Sequence, residues 1–193
     1  MDKLNLKDIV PAERYEKRRN EFRDQIIGLK HQRRVPLGDS ISLTFENRET
    51  IIFQIQEMIR AEHIRDAEKT QQEIDLYNDL IPGPNELSAT LFIEIQEESK
   101  IREILTQLRG IDNGRSIYFR MGEERIFGNF EGGRSSEEKL SSVHYVKFPF
   151  SQKQAKAFIS GETPAVLVSD HPHYRASTEL TEPVRAELSK DLV

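Results

Sequence analysis

The stretch Arg33 to Glu62, RRVPLGDSISLTFENRETIIFQIQEMIRAE, decides the fold. Pro36 and Gly38 stop the helical pattern that precedes them. Ile41, Leu43 and Phe45 then alternate with Ser42 and Thr44, which is the pattern of a half-buried strand. Glu46-Asn47 turns the chain into a helix that the pattern carries to about Lys69. On it Ile51, Ile55, Met58 and Glu62 share one stripe, because steps of 4, 3 and 4 residues keep a helical face. A strand, a tight turn and a long helix in thirty residues point to a mixed architecture.

The same pattern holds outward in both directions. Toward the N-terminus, Pro11 suits a first helical turn, and Tyr15, Phe22, Ile26 and Leu29 fall on one stripe of a charged helix over about 11–31. Toward the C-terminus, a helix over about 71–80 stops before Pro82-Gly83-Pro84. Leu87, Ala89, Leu91, Ile93 and Ile95 alternate with polar residues as a strand. A helix through Ile101, Ile104 and Leu108 closes at Gly110, and strands are expected near 117–121 and 125–129 around a Gly122-Glu123-Glu124 turn. Residues 131–141, EGGRSSEEKLS, read as a mobile loop. Further strands are expected at 143–148 and 165–169, and helices at 152–159 and 178–190. Together these predict a single α+β domain over 1–193, with a mostly antiparallel sheet and helices packed on one face.

The 193 residues are enough for one core. The N-terminus MDKLNLKD lacks the apolar core of a signal peptide, and no apolar run approaches a membrane span. With no cysteine, the chain has no disulfide, thiol nucleophile or thiolate-held iron–sulfur cluster of its own, and a cytoplasmic location is expected. The net charge of −5 is unevenly spread. Residues 1–34 hold ten basic and six acidic residues, a balance of +4, and the remainder holds 18 and 27, a balance of −9. A basic arm on an acidic body suits an acidic protein partner, nucleic acid, or the acidic face of a second copy. The candidate contact residues are Arg14, Lys17, Arg18, Arg19, Arg33 and Arg34. Glu13, Glu16, Glu21 and Asp24 are interleaved among them and would repel phosphate, so nucleic acid ranks last.

Two clusters carry candidate metal chemistry. On the long helix, Glu57, Glu62 and His63 offer hard or borderline ligands, with Glu73 on the next helix able to face them. The alternative is structural: Glu62 continues an apolar face and pairs with Arg33 or Arg34. In Asp170-His171-Pro172-His173-Tyr174, directly after an apolar strand, two imidazoles spaced His-x-His and one carboxylate suit zinc, iron or manganese, with a further ligand from His144, Glu57 or Glu62. Here too an ordinary turn is the alternative, with Asp170 capping it and His171 bonded to backbone. Residues 128–133, GNFEGG, lack the lysine and hydroxyl of a phosphate loop, and no Gly-x-Ser-x-Gly elbow occurs. Tyr118, Phe119, Phe127 and Phe130 read as core, with base stacking as the alternative.

RRVPLGDSISLTFENRETIIFQIQEMIRAE, YNDLIP with ELSATLFIEI, HYVKFPF and DHPHY together resemble a bacterial family of unknown function, over about Ile9 to Leu192. Members of that family are often encoded beside a rubrerythrin-like di-iron protein and a cysteine-rich iron–sulfur protein. The resemblance implies an accessory or adaptor of a redox or peroxide-defence system, and it places Asp170 and His171 ahead of His173. A non-enzymatic adaptor is the first expectation, a metal-binding protein or metal-dependent enzyme the second, and a nucleic-acid binder the third.

Overall fold

The structure, a computed structural model, describes residues 1–132 and 141–192. The expected mobile loop at 131–141 falls mostly on 133–140, outside the described residues. A 3₁₀ turn at Leu6–Asp8 leads into α1 (Ala12–Gln32). β1 (Arg34–Leu37) and β2 (Ile41–Glu46) form a hairpin, followed by α2 (Arg48–Ala61) and α3 (Ala67–Asn78). Then come β3 (Glu86–Ile93), α4 (Ile101–Gln107), β4 (Ile117–Met121), β5 (Glu124–Phe127) and β6 (Asn129–Phe130). β7 (Val143–Pro149), α5 (Gln152–Ser160), β8 (Val166–His171), β9 (Tyr174–Glu179) and α6 (Glu182–Ser189) complete the chain.

The class is α+β with antiparallel pairing throughout, and the strands are shared between two sheets, β1-β2-β3-β7-β6 and β5-β4-β8-β9. Leu43, Phe45 and Phe148 of the first and Phe119, Ile126 and Leu167 of the second meet in one buried core. The sheets are joined at both sides. At one, β5 runs into β6 through Gly128, where a Cβ would come within 2.6 Å of Val146. At the other, the Tyr174 hydroxyl donates to Leu37 O at 2.7 Å and accepts from Ser40 N at 3.0 Å, and Thr178 donates to Pro36 O at 2.6 Å. Gly38 lies against that tyrosine at φ +70°, a position with neither room nor a relaxed backbone for a side chain.

β2 is buried on both faces. Its outer residues face α2 and α3, whose Ile51, Ile55, Ile74 and Tyr77 form a second core with Leu4. Glu46 sits between these layers and accepts from Thr50 at 2.6 Å and Thr90 at 2.7 Å, so the buried carboxylate is met by hydroxyls on both oxygens. Among the described residues the outer face of the four-stranded sheet has no such cover: Arg120, Arg125, Phe127, Arg175 and Ser177 are all exposed there.

The long helix expected to reach Lys69 ends at Ala61. Glu62 is its C-cap, His63 takes a left-handed backbone at φ 54°, and Asp66 caps a new helix by accepting from Glu68 N and Lys69 N. The last helix is likewise shorter than expected, because Tyr174–Glu179 is strand. No helix among the described residues is long and apolar enough to cross a membrane.

Candidate functional site

The DHPHY segment is a hairpin turn. His171 ends β8, Tyr174 starts β9, and only Pro172 and His173 lie between them. The His171 ring is buried and both of its nitrogens are engaged. Nε2 lies 2.9 Å from Arg109 O, and Nδ1 accepts from His173 N at 3.3 Å. That pattern fixes the neutral tautomer with the proton on Nε2 and leaves no lone pair for a metal. Asp170 is exposed and lies 3.5 Å from Arg175, its cross-strand neighbour. His173 is exposed. The proposed His144 ligand is buried on β7, with Nε2 2.7 Å from Ser141 O and Nδ1 3.6 Å from Asp112.

The helical candidates are elsewhere. Glu57 accepts from Tyr15 at 2.6 Å and takes Arg19 in a bidentate pair at 2.8 and 2.7 Å. It clasps α1 onto α2, with both carboxylate oxygens engaged. Glu62 and His63 are exposed, because the helix has ended and the stripe no longer faces the core. Glu62 is close enough to Glu73 to raise the Glu73 pKa, after burial as the larger cause. Among the described residues no group of three or more histidine, aspartate or glutamate side chains is placed to hold a metal. The composite ligand set of Asp170, His171, His173, Glu57, Glu62 and His63 is therefore not assembled.

The expected basic contact patch is also divided. Arg33 is wholly buried between α1 and the C-terminal helix, paired with Glu187 and Asp191. Arg19 is spent on Glu57, and Arg34 pairs with Glu94 at the far end of the helix. Arg18 pairs with Glu21 and stacks on Phe22, 5.3 Å from the ring centre. Arg14 and Lys17 are exposed and make no ion pair among the described residues.

Arg14 borders a concavity at the α1–α2 seam. Gln56 of α2 holds the segment before α1 by accepting from Val10 N at 2.8 Å and donating to Val10 O at 3.1 Å. Along this seam run two cavities of about 570 and 550 Å³ that share Ala12, Glu13, Ile59, Ile64 and Arg65 as walls. A smaller one of about 230 Å³ continues them past Ile9 and Phe22 to Lys7 and Arg14. The floor is apolar, from Ile9, Ile59 and Ile64, and the rim is mixed but mainly basic, with Lys7, Arg14, Arg18, Arg60 and Arg65 against Glu13 and Glu16. Sequence reasoning missed Lys7, Ile9, Ile64 and Arg65. Their only signals were Ile9-Val10 before the helix-starting proline and an isolated isoleucine in the polar run EHIRD.

The clasp that sets the groove's back wall is pH-sensitive. Arg19 holds the Glu57 carboxyl below the usual carboxylate range, and the buried, Glu57-bonded Tyr15 hydroxyl is pushed up. A carboxyl whose pKa is lowered on folding adds stability above its unfolded value, and that stability is lost as pH falls through the folded value. Glu57→Gln is expected to lower stability at pH 7 by about 1 kcal/mol, discounted for partial exposure. The gap from the unaltered protein should close as pH drops below the ordinary carboxylate range, as read from urea midpoints across pH.

Comparison with known proteins gives a family but no activity. No curated protein matches the chain. A crystal structure from Burkholderia pseudomallei, described as a novel protein of unknown function, is 31% identical over 100% of both chains with a TM-score of 0.92. The model of a family described as a protein of unknown function, DUF3501, matches residues 3–192. With that match across nearly its whole length, the chain belongs to the DUF3501 family.

Proposed function

We propose that the chain is a non-catalytic cytoplasmic adaptor that receives an acidic, apolar-tipped segment of a redox protein in the groove beside α1. The observation that supports this reading is the groove itself. Its floor is apolar, and Lys7, Arg14 and Arg65 stand on its rim without ion pairs among the described residues. An incoming carboxylate-bearing helix or strand would meet positive charge at the rim and bury apolar side chains below, which is the usual division between a charged rim and an apolar anchor. The class of partner, a rubrerythrin-like or iron–sulfur protein, rests on the family resemblance.

The test is calorimetric titration of the full chain with a rubrerythrin-like protein and with a cysteine-rich iron–sulfur protein from its own source organism, at ~50 mM and ~300 mM salt. The expected result is binding that weakens with salt. It should fall at least tenfold in Lys7→Glu/Arg14→Glu and in Arg65→Glu, about 1.4 kcal/mol or more, with unchanged melting temperatures, since all three residues are exposed. No heat with either probe at low salt, or binding indifferent to both variants, rejects the reading.

A further inference from the structure

The outer face of the four-stranded sheet, which no described element covers, is complementary to itself. Its outward side chains form rows that run straight across the strands. One row is Arg125 on β5, Arg120 on β4, Val166 on β8 and Glu179 on β9. The next is Phe127, Tyr118, Val168 and Ser177. The first row is thus positive at one end, apolar beside it and negative at the other. Two arginines stand directly opposite each other on neighbouring strands, an arrangement that is repulsive within one chain and is relieved by a carboxylate from outside.

A two-fold axis in the plane of the contact, parallel to the strands and between β4 and β8, lays β5 of one copy over β9 of another and β4 over β8. Rows then fall on rows. Arg125 meets Glu179 of the second copy, twice by symmetry, while Tyr118 meets Val168 and Arg120 meets Val166 across the centre. Arg125 is held for this by stacking on Tyr118, 5.0 Å from the ring centre. Phe127 is 40% exposed beside it, an aromatic surface open to a second copy. The other charges on the face need no partner copy, since Asp170 and Arg175 pair within the chain at 3.5 Å. Arg185 lies near Glu179, but its guanidinium is committed to the carbonyls of Ala157, Phe158 and Thr163.

From this register we infer that the protein self-associates through the outer face of β5-β4-β8-β9 as a face-to-face, two-fold dimer. The inference is independent of the groove beside α1 and leaves that groove open in both copies. Four strands ~4.8 Å apart and two to three rows give about 400 Å² per copy, roughly half of a standard stable interface, so the dimer forms in a concentration-dependent way.

The experiment is sedimentation equilibrium of the full chain from ~10 to ~500 μM at ~50 mM salt. A monomer–dimer equilibrium is expected, weakened at least tenfold by Arg125→Glu and by Glu179→Arg, and restored in the doubly swapped Arg125→Glu/Glu179→Arg. Both positions are exposed, and circular dichroism melting checks that each variant folds. A monomer at every concentration overturns the inference. So does a dimer that neither single charge reversal weakens, or one that the double swap fails to restore. A monomer that instead retards a single-stranded oligonucleotide would also overturn it, and would reassign Arg120, Arg125 and Phe127 to a polyanion with stacking bases.

Discussion

Arg33→Met is expected to destabilise the protein by about 3–5 kcal/mol, the range for stranding buried partner charges. The guanidinium is fully buried, and each of its three nitrogens is hydrogen-bonded. Nε donates to Phe45 O at 2.8 Å, Nη1 to Glu187 at 3.2 Å, and Nη2 to Glu46 O at 3.3 Å and to Asp191. It ties the end of α1 and the end of β2 to residues more than 150 positions away. Methionine keeps the stem and removes the charge, which strands two carboxylates. Burial already pushes the Asp191 carboxyl up even with Arg33 beside it, and its Oδ1 finds no hydrogen-bond partner among the described residues. Burial also pushes Glu187 up, but Lys190 and Arg33 together outweigh it and hold it low. For a chain of this length the loss corresponds to a melting temperature lower by about 10 °C. Arg34→Met, at an exposed pair with Glu94, should change stability by less than ~1 kcal/mol. Equal midpoints for the two variants in urea would show that the buried centre contributes nothing. Making the centre wholly apolar with Arg33→Met/Glu187→Met/Asp191→Leu should recover most of the loss, because the penalty lies in the stranded charges and not in the missing attraction.

The contrast between Arg33 and its neighbour shows where sequence reading stops. Adjacent residues in a strand-like segment point to opposite sides, but two arginines give no hydrophobic signal to say which side is the core. Both therefore read as one basic patch. Alternation with strong apolar residues was legible: Ile41, Leu43 and Phe45, and Leu87 to Ile93, lie on the strands expected for them. β9 was not, because its inward residues are Tyr174, Ala176 and Thr178, of which only the first is large and apolar, and its inward tyrosine spends its hydroxyl on backbone of β1. The break after Ala61 was hidden for a different reason. The four-three-four spacing runs on to Glu62, while the device that restarts the helix is Asp66, a cap whose identity matters only once the chain has turned at His63. Glu57 and His171, singled out in the sequence as candidate metal ligands, are each engaged by groups from other elements. Only tertiary partners, Arg19 and Tyr15 for one and the Arg109 carbonyl for the other, tell a saturated group from an available one. The groove was out of reach because Ile9, Ile59 and Ile64 come from three segments.

Phe119→Ala should be comparably severe, about 3–5 kcal/mol by the range for a large buried aromatic. Phe119 belongs to the four-stranded sheet, and its ring lies 4.9 Å from that of Phe148 and 5.8 Å from that of Phe45, both on the five-stranded sheet. It also lies 6.0 Å from the rings of Phe150 and of Phe158 on α5. Two of these contacts are edge-to-face, the geometry the ring quadrupole favours. Truncation therefore opens a void at the point where both sheets and α5 meet, and most of its walls are backbone-anchored strands or a capped helix, which resist moving in to fill it. Phe127→Ala, on the exposed face of the same sheet, removes an identical side chain and should change monomer stability by less than ~1 kcal/mol. The comparison is made by urea unfolding followed by circular dichroism and by tyrosine fluorescence. If Phe119 joins the two sheets into one cooperative unit, the two probes coincide in the unaltered protein, and Phe119→Ala lowers the midpoint with the slope unchanged. Separate transitions in Phe119→Ala would mean that the sheets unfold independently once this ring is gone. A midpoint equal to that of Phe127→Ala would show that the packing at the sheet junction is carried by other residues.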